Sequence, residues 1–412
     1  MKQLSLESAD PAMTQQKRLL FIASGTEGYG VRRVWDSLVG GLTARGYTVQ
    51  VALLTSGAGG AQDWRAMGAE ITQIAPGASL QNAGEARWGK AAALGSRALT
   101  QFRMIGRLTA LARQIAAERI VIQSPLEVPM AALVARRCGI PLYWMMPNGV
   151  SDTYPLDINR RLYALLGRHA NLTALANSRY TLGTLGTLGA RAVQAQVVHL
   201  GIDVQAFAPE RWDPAATAEL RRSAGLRGEG AVLGLFARLV PSKGLGVLVE
   251  ALGLLATEGQ RPEVLICGGP LDSDFASSVM SRAQELGVRK QLFFQGPIRD
   301  IGPWYAASDI ILNTRLDPEP FGLSVIEGMA MAKPILAHQA GGPAETVLDG
   351  QTGWLITSPD PASFATALRR ALADRPRWSE MGQAARAHVA LQFSEERMLD
   401  RLEAVWRVAE QG

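Results

Sequence analysis

Two glutamates stand eight positions apart, Glu319 and Glu327, with Pro320-Phe321-Gly322 between them in the run DPEPFGLSVIEGMA (317–330). In one unbroken helix they would be separated by ~12 Å. Pro320 and Gly322 are poor helix-interior residues, so the stretch reads as a loop through Gly322 and a helix from about Leu323 to Ala332. Leu323, Ile326, Met329 and Ala330 then share one apolar face. Glu319 sits on the loop and Glu327 one turn inside the helix. Free backbone N–H groups at the helix start lie between the two carboxylates and make a natural anion site. A ligand with hydroxyls at both ends and negative charge in its middle suits this arrangement. Two ordinary glutamates on a solvated helix start would give the same letters.

A second pair, Arg238 and Lys243, occurs in FARLVPSKG. Here a strand is expected to end and a helix to begin, with Lys243 at the helix N-terminus and Ser242 as its cap. Open α/β sheets bind ligands at the carboxyl ends of their strands. Two cations at that place could hold a diphosphate and stabilise its charge as it leaves; the alternative is two solvated loop cations. A sugar joined to a nucleoside through a diphosphate would use both pairs. GTEGYG (25–30) has its glycines at the wrong spacing for a dinucleotide fingerprint, so no nicotinamide cofactor is implied. Gly28 and Gly30 either admit a phosphate or the acceptor closely, or serve a turn that needs glycine torsions. LDSD (271–274) reads as a helix cap rather than a metal site. The four histidines are widely spaced and suggest no metal centre.

Hydrophobic patterning shows what must position these groups. RLLFIAS (18–24) is a short apolar run before the glycine-rich loop, hence a buried strand. Val31, Val34, Trp35, Leu38, Val39 and Leu42 follow at helical spacing, Gly46 ends that helix, and YTVQVALL is the next strand. RIVIQS (119–124) and PLYWMM (141–146) are further strands, with the helical PMAALVARRCG between them. After residue 200 the rhythm restarts with GAVLGLFA, the loop RLVPSKG and the helix LGVLVEALGLLA; EVLICGG, QLFFQG, DIILNT and KPILAH continue it. Such alternation predicts an α/β protein with parallel sheets. A chain of 412 residues defaults to two domains. The boundary falls in HLGIDVQAFAPERWDPAAT, where periodicity lapses. The first domain is read as 1–203 and the second as 204–389, with a C-terminal helix of about 390–412 expected to return to the first.

FARLVPSKGLGVLVEAL followed by EPFGLSVIEGMAMAKPILAHQAGGPAETV resembles the retaining GT-B glycosyltransferases of family four. The family's E-x7-E motif corresponds to Glu319 and Glu327, and its Arg/Lys pair to Arg238 and Lys243. The likeness extends through HLGIDVQAFAP and LICGGP and covers most of 197–355, whereas the first half matches only in outline, over 18–45. It implies two Rossmann-like domains facing a central cleft, with the nucleotide sugar on the second and the acceptor on the first. By the same resemblance Glu327 binds the ribose hydroxyls and Glu319 the transferred sugar, assisted by backbone N–H groups of Phe321, Gly322 and Leu323. The departing phosphate would take the acceptor's proton in a front-face reaction, without metal or cofactor. GDP-mannose or a UDP-sugar is the implied donor, and a glycan or polyprenyl-diphosphate-linked acceptor the partner, in exopolysaccharide or cell-surface glycan assembly. One departure stands out. The family often places a histidine six residues after a proline, and here Pro141 leads to Pro147. Asn148 is the nearest polar substitute, for a sugar hydroxyl or simply as part of a PNG turn. A GT-B epimerase would need acid–base groups at the sugar that the sequence does not display. A non-catalytic sugar-nucleotide binding protein is the reading that the missing histidine favours.

Hydrophobic content of 47% and charged content of 19% indicate a globular chain. No run of eighteen apolar residues is present, and MKQLSLESADPAMTQQ lacks the apolar core of a secretory signal. Cys138 and Cys267 read as buried reduced thiols of a cytoplasmic protein. Residues 1–200 carry 21 Lys and Arg against 11 Asp and Glu, and the remainder 21 against 26. Only the basic half should therefore meet an anionic partner. No zinc finger, recognition helix or aromatic–basic RNA motif points to nucleic acid. Within 87–119, Arg87, Lys90, Arg97, Arg103, Arg107, Arg113 and Arg119 face a single acid, Glu118. Trp88, Phe102, Met104, Ile105 and Leu108 are interleaved with them. The segment is either an interfacial one that docks on an anionic membrane surface, at the inner face of the membrane, or amphipathic helices packed on the first domain with solvated arginines.

Overall fold

Leu19, Leu20, Phe21 and Ile22 have no solvent exposure. A strand apolar on both faces needs cover on both faces, and β1 (Arg18–Ala23) has it near the middle of a seven-stranded parallel sheet. The computed structural model describes residues 17–55, 60–74, 90–150, 158–186, 194–228 and 230–411. The polar opening segment, Arg87 and Trp88 lie outside these residues, as do the side chains of Lys90 and Arg97.

The first sheet continues with β2 (Thr48–Leu53), β3 (Glu70–Gln73), β4 (Arg119–Ile122), β5 (Leu142–Met146), β6 (Leu172–Ala176) and β7 (Gln194–Val197), in the order β3-β2-β1-β4-β5-β6-β7. The second contains β8 (Val232–Phe236), β9 (Glu263–Cys267), β10 (Leu292–Gly296), β11 (Ile310–Asn313), β12 (Ile335–His338) and β13 (Gly353–Ile356), in the order β10-β9-β8-β11-β12-β13. Strand order reverses beside β1 in one sheet and beside β8 in the other. At such points the loops leaving adjacent strands part and a crevice opens. β3, β6, β7 and β13 escape the hydrophobic pattern: EITQ and QAQV are short and polar, and β3 and β7 lie at the sheet edges.

One apolar cluster runs through both domains, joining Phe21, Val34 and Trp35 to Val325, Ile326 and Met329. The Glu395–Gln411 helix belongs to it, with the Trp406 ring 5.6 Å from Tyr47 and 5.9 Å from Tyr143. Arg45 fixes the same helix through Glu403 at 2.9 Å.

The apolar face of the basic segment is internal. Met104, Ile105 and Leu108 of the Lys90–Gln114 helix are buried in a core shared with the Val128–Cys138 helix. Arg107 donates to the Ile74 carbonyl at 2.6 Å, and Arg119 is buried in β4 with its guanidinium over the Trp406 ring. Met104, Ile105 and Leu108 thus form no membrane-facing stripe. Phe102, at 64% exposure, and the exposed Arg103 and Arg113 remain outward. Among the described residues no helix is long and apolar enough to cross a membrane.

Candidate active site

The loop after β11 carries the carboxylates. Gly322, in the left-handed region at φ 94°, turns the chain into the Leu323–Ala330 helix, which has no side-chain cap. Its first N–H groups are therefore free to meet a ligand. The helix is two residues shorter than the pattern suggests and is not one-faced: Val325, Ile326, Glu327, Gly328, Met329 and Ala330 are all buried. Phe321 is buried against Phe393 and His199, so its ring anchors the loop and only its backbone meets the cleft.

Neither glutamate is a surface residue. Glu319, with its side chain 13% exposed, accepts from Lys243 Nζ at 2.7 Å and from Arg315 Nη1 at 3.1 Å. Arg315 is also clasped by Asp317, through Nε at 3.0 Å and Nη2 at 2.7 Å. That guanidinium holds Asp317 below the usual carboxylate range. Glu327, 2% exposed, accepts the Tyr305 hydroxyl at 2.8 Å on Oε2, while its Oε1 has no hydrogen-bond partner and lies 3.7 Å from Arg33. Burial pushes Glu327 up to about 7, against the opposing pull of Arg33 and of the Tyr305 hydrogen bond. Tyr305 stacks on Phe236 with ring centroids 3.9 Å apart, which fixes the hydroxyl.

Arg238 follows β8 and is exposed, with no ion pair among the described residues. Lys243 does not begin a helix as the sequence suggests. Pro241–Lys243 is a single 3₁₀ turn, and Gly244, at φ 76°, starts the Leu245–Thr257 helix without a side-chain cap. Ser242 instead accepts the Leu316 N–H on its carbonyl, and Thr314 Oγ1 donates to the Lys243 carbonyl. These bonds clamp the two loops together and bring Lys243 to Glu319.

A cleft of about 710 Å³ collects Arg238, Lys243, Arg315, Glu319, Glu327 and the backbone of Phe321, Gly322 and Leu323. Gly28, Gly30 and Asn148 line it from the first domain. The torsion explanation for the two glycines fails, since Gly25 alone in that loop has positive φ. Neither glycine is demanded by packing in the ligand-free fold: a Cβ at Gly30 would make ordinary contact with Leu323 of the other domain at 3.6 Å, and one at Gly28 would meet open space. Asp272 and Asp274 form no metal cluster, Ser273 caps the Asp274–Glu285 helix, and no group of three or more His, Cys, Asp or Glu suited to a metal occurs among the described residues.

Further contacts tie the loops around the cleft, two sets of them between the domains. Ser178 Oγ donates to the Pro320 carbonyl at 2.5 Å across the domain interface. Glu345 accepts from the Arg179 and Tyr180 N–H groups and meets His199 Nε2 at 3.0 Å. His338 Nδ1 lies 3.1 Å from the Arg315 carbonyl. Both histidines therefore tie loops together and do not line the cleft. Arg315, Tyr305 and Arg33 carried no signal as single letters in the sequence. Arg315 lies only two residues before Asp317, where a local Arg-x-Asp-x-Glu pattern could have drawn attention to it.

This fold is GT-B, two Rossmann-like domains about a cleft. A glycosyltransferase structure from Rickettsia africae matches 95% of the chain and 98% of its own, with a TM-score of 0.80 at 17% identity. The Anabaena HepE structure with UDP and glucose matches 95% of the chain and all of its own, with a TM-score of 0.76 at 21% identity. Residues 216–388 match the family described as glycosyl transferases group 1. A GDP-mannose-dependent alpha-(1-6)-phosphatidylinositol monomannoside mannosyltransferase of Mycolicibacterium smegmatis is 31% identical over 274 residues, which are 64% of this chain and 69% of that protein. The chain belongs to the glycosyl transferases group 1 family. A D-inositol 3-phosphate glycosyltransferase of Streptomyces avermitilis is 34% identical over 203 residues, covering 47% of this chain and 42% of that one.

Proposed function

We propose that the chain transfers a sugar, with retention of configuration, from GDP-mannose or a UDP-sugar to a glycan or lipid-linked acceptor of a cell-surface or exported polysaccharide. One observation carries the reading: two buried or half-buried carboxylates, three cations and a free helix N-terminus line a single cleft. Glu327 receives the ribose hydroxyls on its open Oε1, Tyr305 holds its other oxygen, and Glu319 takes hydroxyls of the transferred sugar. Arg238 and Lys243 hold the diphosphate, with the N–H groups of Phe321, Gly322 and Leu323 on the same oxygens.

In the reaction the bond from the anomeric carbon to the diphosphate oxygen breaks, and the acceptor oxygen bonds to that carbon from the same face. The acceptor's proton goes to the departing phosphate oxygen. No side-chain base is required, and the nucleoside diphosphate leaves with the electron pair. The mannosyltransferase of M. smegmatis supports GDP-mannose, and HepE, by its UDP and glucose, keeps a UDP-sugar in contention. The donor domain is placed at 204–389 and the acceptor domain at 1–203, with the last helix returning to the latter.

Incubation with a panel of nucleotide sugars and glycan acceptors tests this. A new glycosidic product with the donor's anomeric configuration is expected. An epimerised sugar without transfer, or nucleotide binding without any product, would replace the reading with one of its competitors. Docking at an anionic inner membrane face belongs to the same proposal, through Phe102, Arg103, Arg113, Arg136 and Arg137, which are exposed. Each cation near an anionic leaflet adds ~1 kcal/mol. Co-sedimentation with phosphatidylglycerol liposomes at low salt is expected to fail in the Arg136→Glu/Arg137→Glu variant; wild-type protein left in the supernatant removes the membrane part.

A further inference from the structure

We propose that three amides, Gln123, Asn148 and Asn177, form an acceptor subsite on the first-domain wall of the cleft, and that the unit seated there is an uncharged, hydroxyl-bearing sugar. The proposal rests on the transferase reading above and names the chemistry of the group that must meet the donor.

The three residues leave adjacent parallel strands. Gln123 is the first residue beyond β4, Asn177 the first beyond β6, and Asn148 follows β5 between them. Strand alternation continues the row of Val121 into Gln123 and that of Leu175 into Asn177. Both rows belong to the core that includes Val34 and Leu200, which themselves line the cleft. Asn148 and Asn177 line it, whereas Gln123 is buried at the end of β4 and is not among the lining residues.

Two of the amides are buried without complete hydrogen bonding. Gln123 is 2% exposed, and neither its Oε1 nor its Nε2 has a partner. Asn177 is also 2% exposed; its Nδ2 donates to the Pro147 carbonyl at 2.9 Å, but its Oδ1 has none. A buried polar group left unpaired costs ~1–3 kcal/mol. Two of them at the ends of β4 and β6, on either side of β5, are accounted for by a ligand that completes them.

Charge decides which ligand. Among the described residues, every charged side chain lining the cleft comes from the second domain; the described first-domain residues lining it are glycines, apolar residues, Tyr29 and the asparagines. Arg33, the first-domain cation at Glu327, is engaged by that carboxylate and by the Phe207 ring. The loops after β1 and β4 add Glu27 and the buried Glu127, whose carboxyl is pushed up to about 8 by burial and then by Glu27. A phosphate on this wall would meet no cationic side chain among the described lining residues. A sugar hydroxyl both donates and accepts, which is what paired amide groups need. Exposed first-domain cations such as Arg103, Arg113, Arg136 and Arg137 are absent from the cleft lining. Any phosphate that the acceptor carries therefore lies outside the cleft.

Gln123→Met keeps the volume and removes the unpaired amide, so folding should be retained or improved. Asn148→Ala changes an exposed residue and guards against a packing artefact. Binding of octyl α-mannoside and octyl β-glucoside, with myo-inositol 1-phosphate as the charged competitor, would be followed by saturation-transfer NMR in the presence of UDP or GDP. Wild type should bind an octyl glycoside and not the inositol phosphate. Each variant should bind it ~3–10-fold more weakly with nucleotide affinity unchanged. Unaltered glycoside affinity in both variants, no glycoside binding by wild type, or preference for the phosphorylated polyol overturns the proposal. Binding needs no turnover, so glycoside bound through the amides without any transfer would sink the transferase reading and leave the subsite standing.

Discussion

Lys243 Nζ lies 2.7 Å from Glu319 Oε2, and Arg315 takes the other oxygen of the same carboxylate. The group proposed to grip the sugar and one proposed to hold the diphosphate are therefore a single hydrogen-bonded unit before any ligand arrives. Arg238, in contrast, stands unpaired among the described residues.

This difference predicts unequal responses. Arg238→Ala removes charge and no described ion pair, so turnover should fall by ~10²–10³ with the melting temperature unchanged. Lys243→Ala and Glu319→Ala should each slow turnover comparably, while the double variant loses much less than the product of the two, because contacting residues couple. Near-normal kcat/KM for both cation variants would remove the diphosphate assignment.

With Glu327 as the proposed ribose acceptor, nucleotide affinity is expected to depend on pH. Its folded value of about 7 lies above the ordinary 4.5 because of burial, so the carboxylate is present above that pH and protonated below it. Its proton-linked stability is fully present below about 4.5 and is lost as pH rises through about 7. An acceptor for ribose hydroxyls is therefore gained on the alkaline side, at some cost to the fold. Calorimetric titration with UDP and GDP should show tighter binding at pH 8 than at pH 6, and Glu327→Gln should abolish the part of that difference not due to the nucleotide itself. An identical profile in the variant would place the titration elsewhere.

Turnover should persist in EDTA, because side-chain cations and helix N–H groups supply the positive charge at the leaving group. Full loss on chelation, restored by magnesium or manganese, would contradict this.

Gly341 shapes the donor loop from behind. At φ 74° it sits where an added Cβ would lie 2.0 Å from the Glu319 carbonyl, and the Gly342 N–H donates to that carbonyl at 2.7 Å. Gly341→Ala adds left-handed strain of ~1–2 kcal/mol and must displace Glu319. Nucleotide-sugar affinity should drop more than tenfold while a cooperative melt is retained. Wild-type affinity would mean that the loop relaxes without moving the carboxylate.

Much of the donor half could be read from the sequence because its information is local. Pro320 and Gly322 mark the turn, Gly322 opens the helix, and the spacing of Glu319 and Glu327 survives into the fold. Strands such as RLLFIA and EVLIC declare themselves by unbroken apolar runs, whereas QAQV does not. What was illegible depends on residues distant in sequence. Tyr305 reaches Glu327 only after the second domain has folded, and Arg33 only after the domain interface has formed. Met104, Ile105 and Leu108 show the reverse difficulty: an amphipathic pattern tells that one face is apolar, not whether lipid or the Val128–Cys138 helix covers it. Ser242 was misplaced because a proline and a lysine before Gly244 suit a 3₁₀ turn as well as a helix start.

The hydrogen bond from Ser178 to the Pro320 carbonyl fastens the loop proposed to hold the donor to the first domain. Parting the two domains at this point would give up that bond, and with it one restraint on the turn between Glu319 and Gly322. The Ser178 hydroxyl thus makes the shape of that turn answer to the spacing of the two domains.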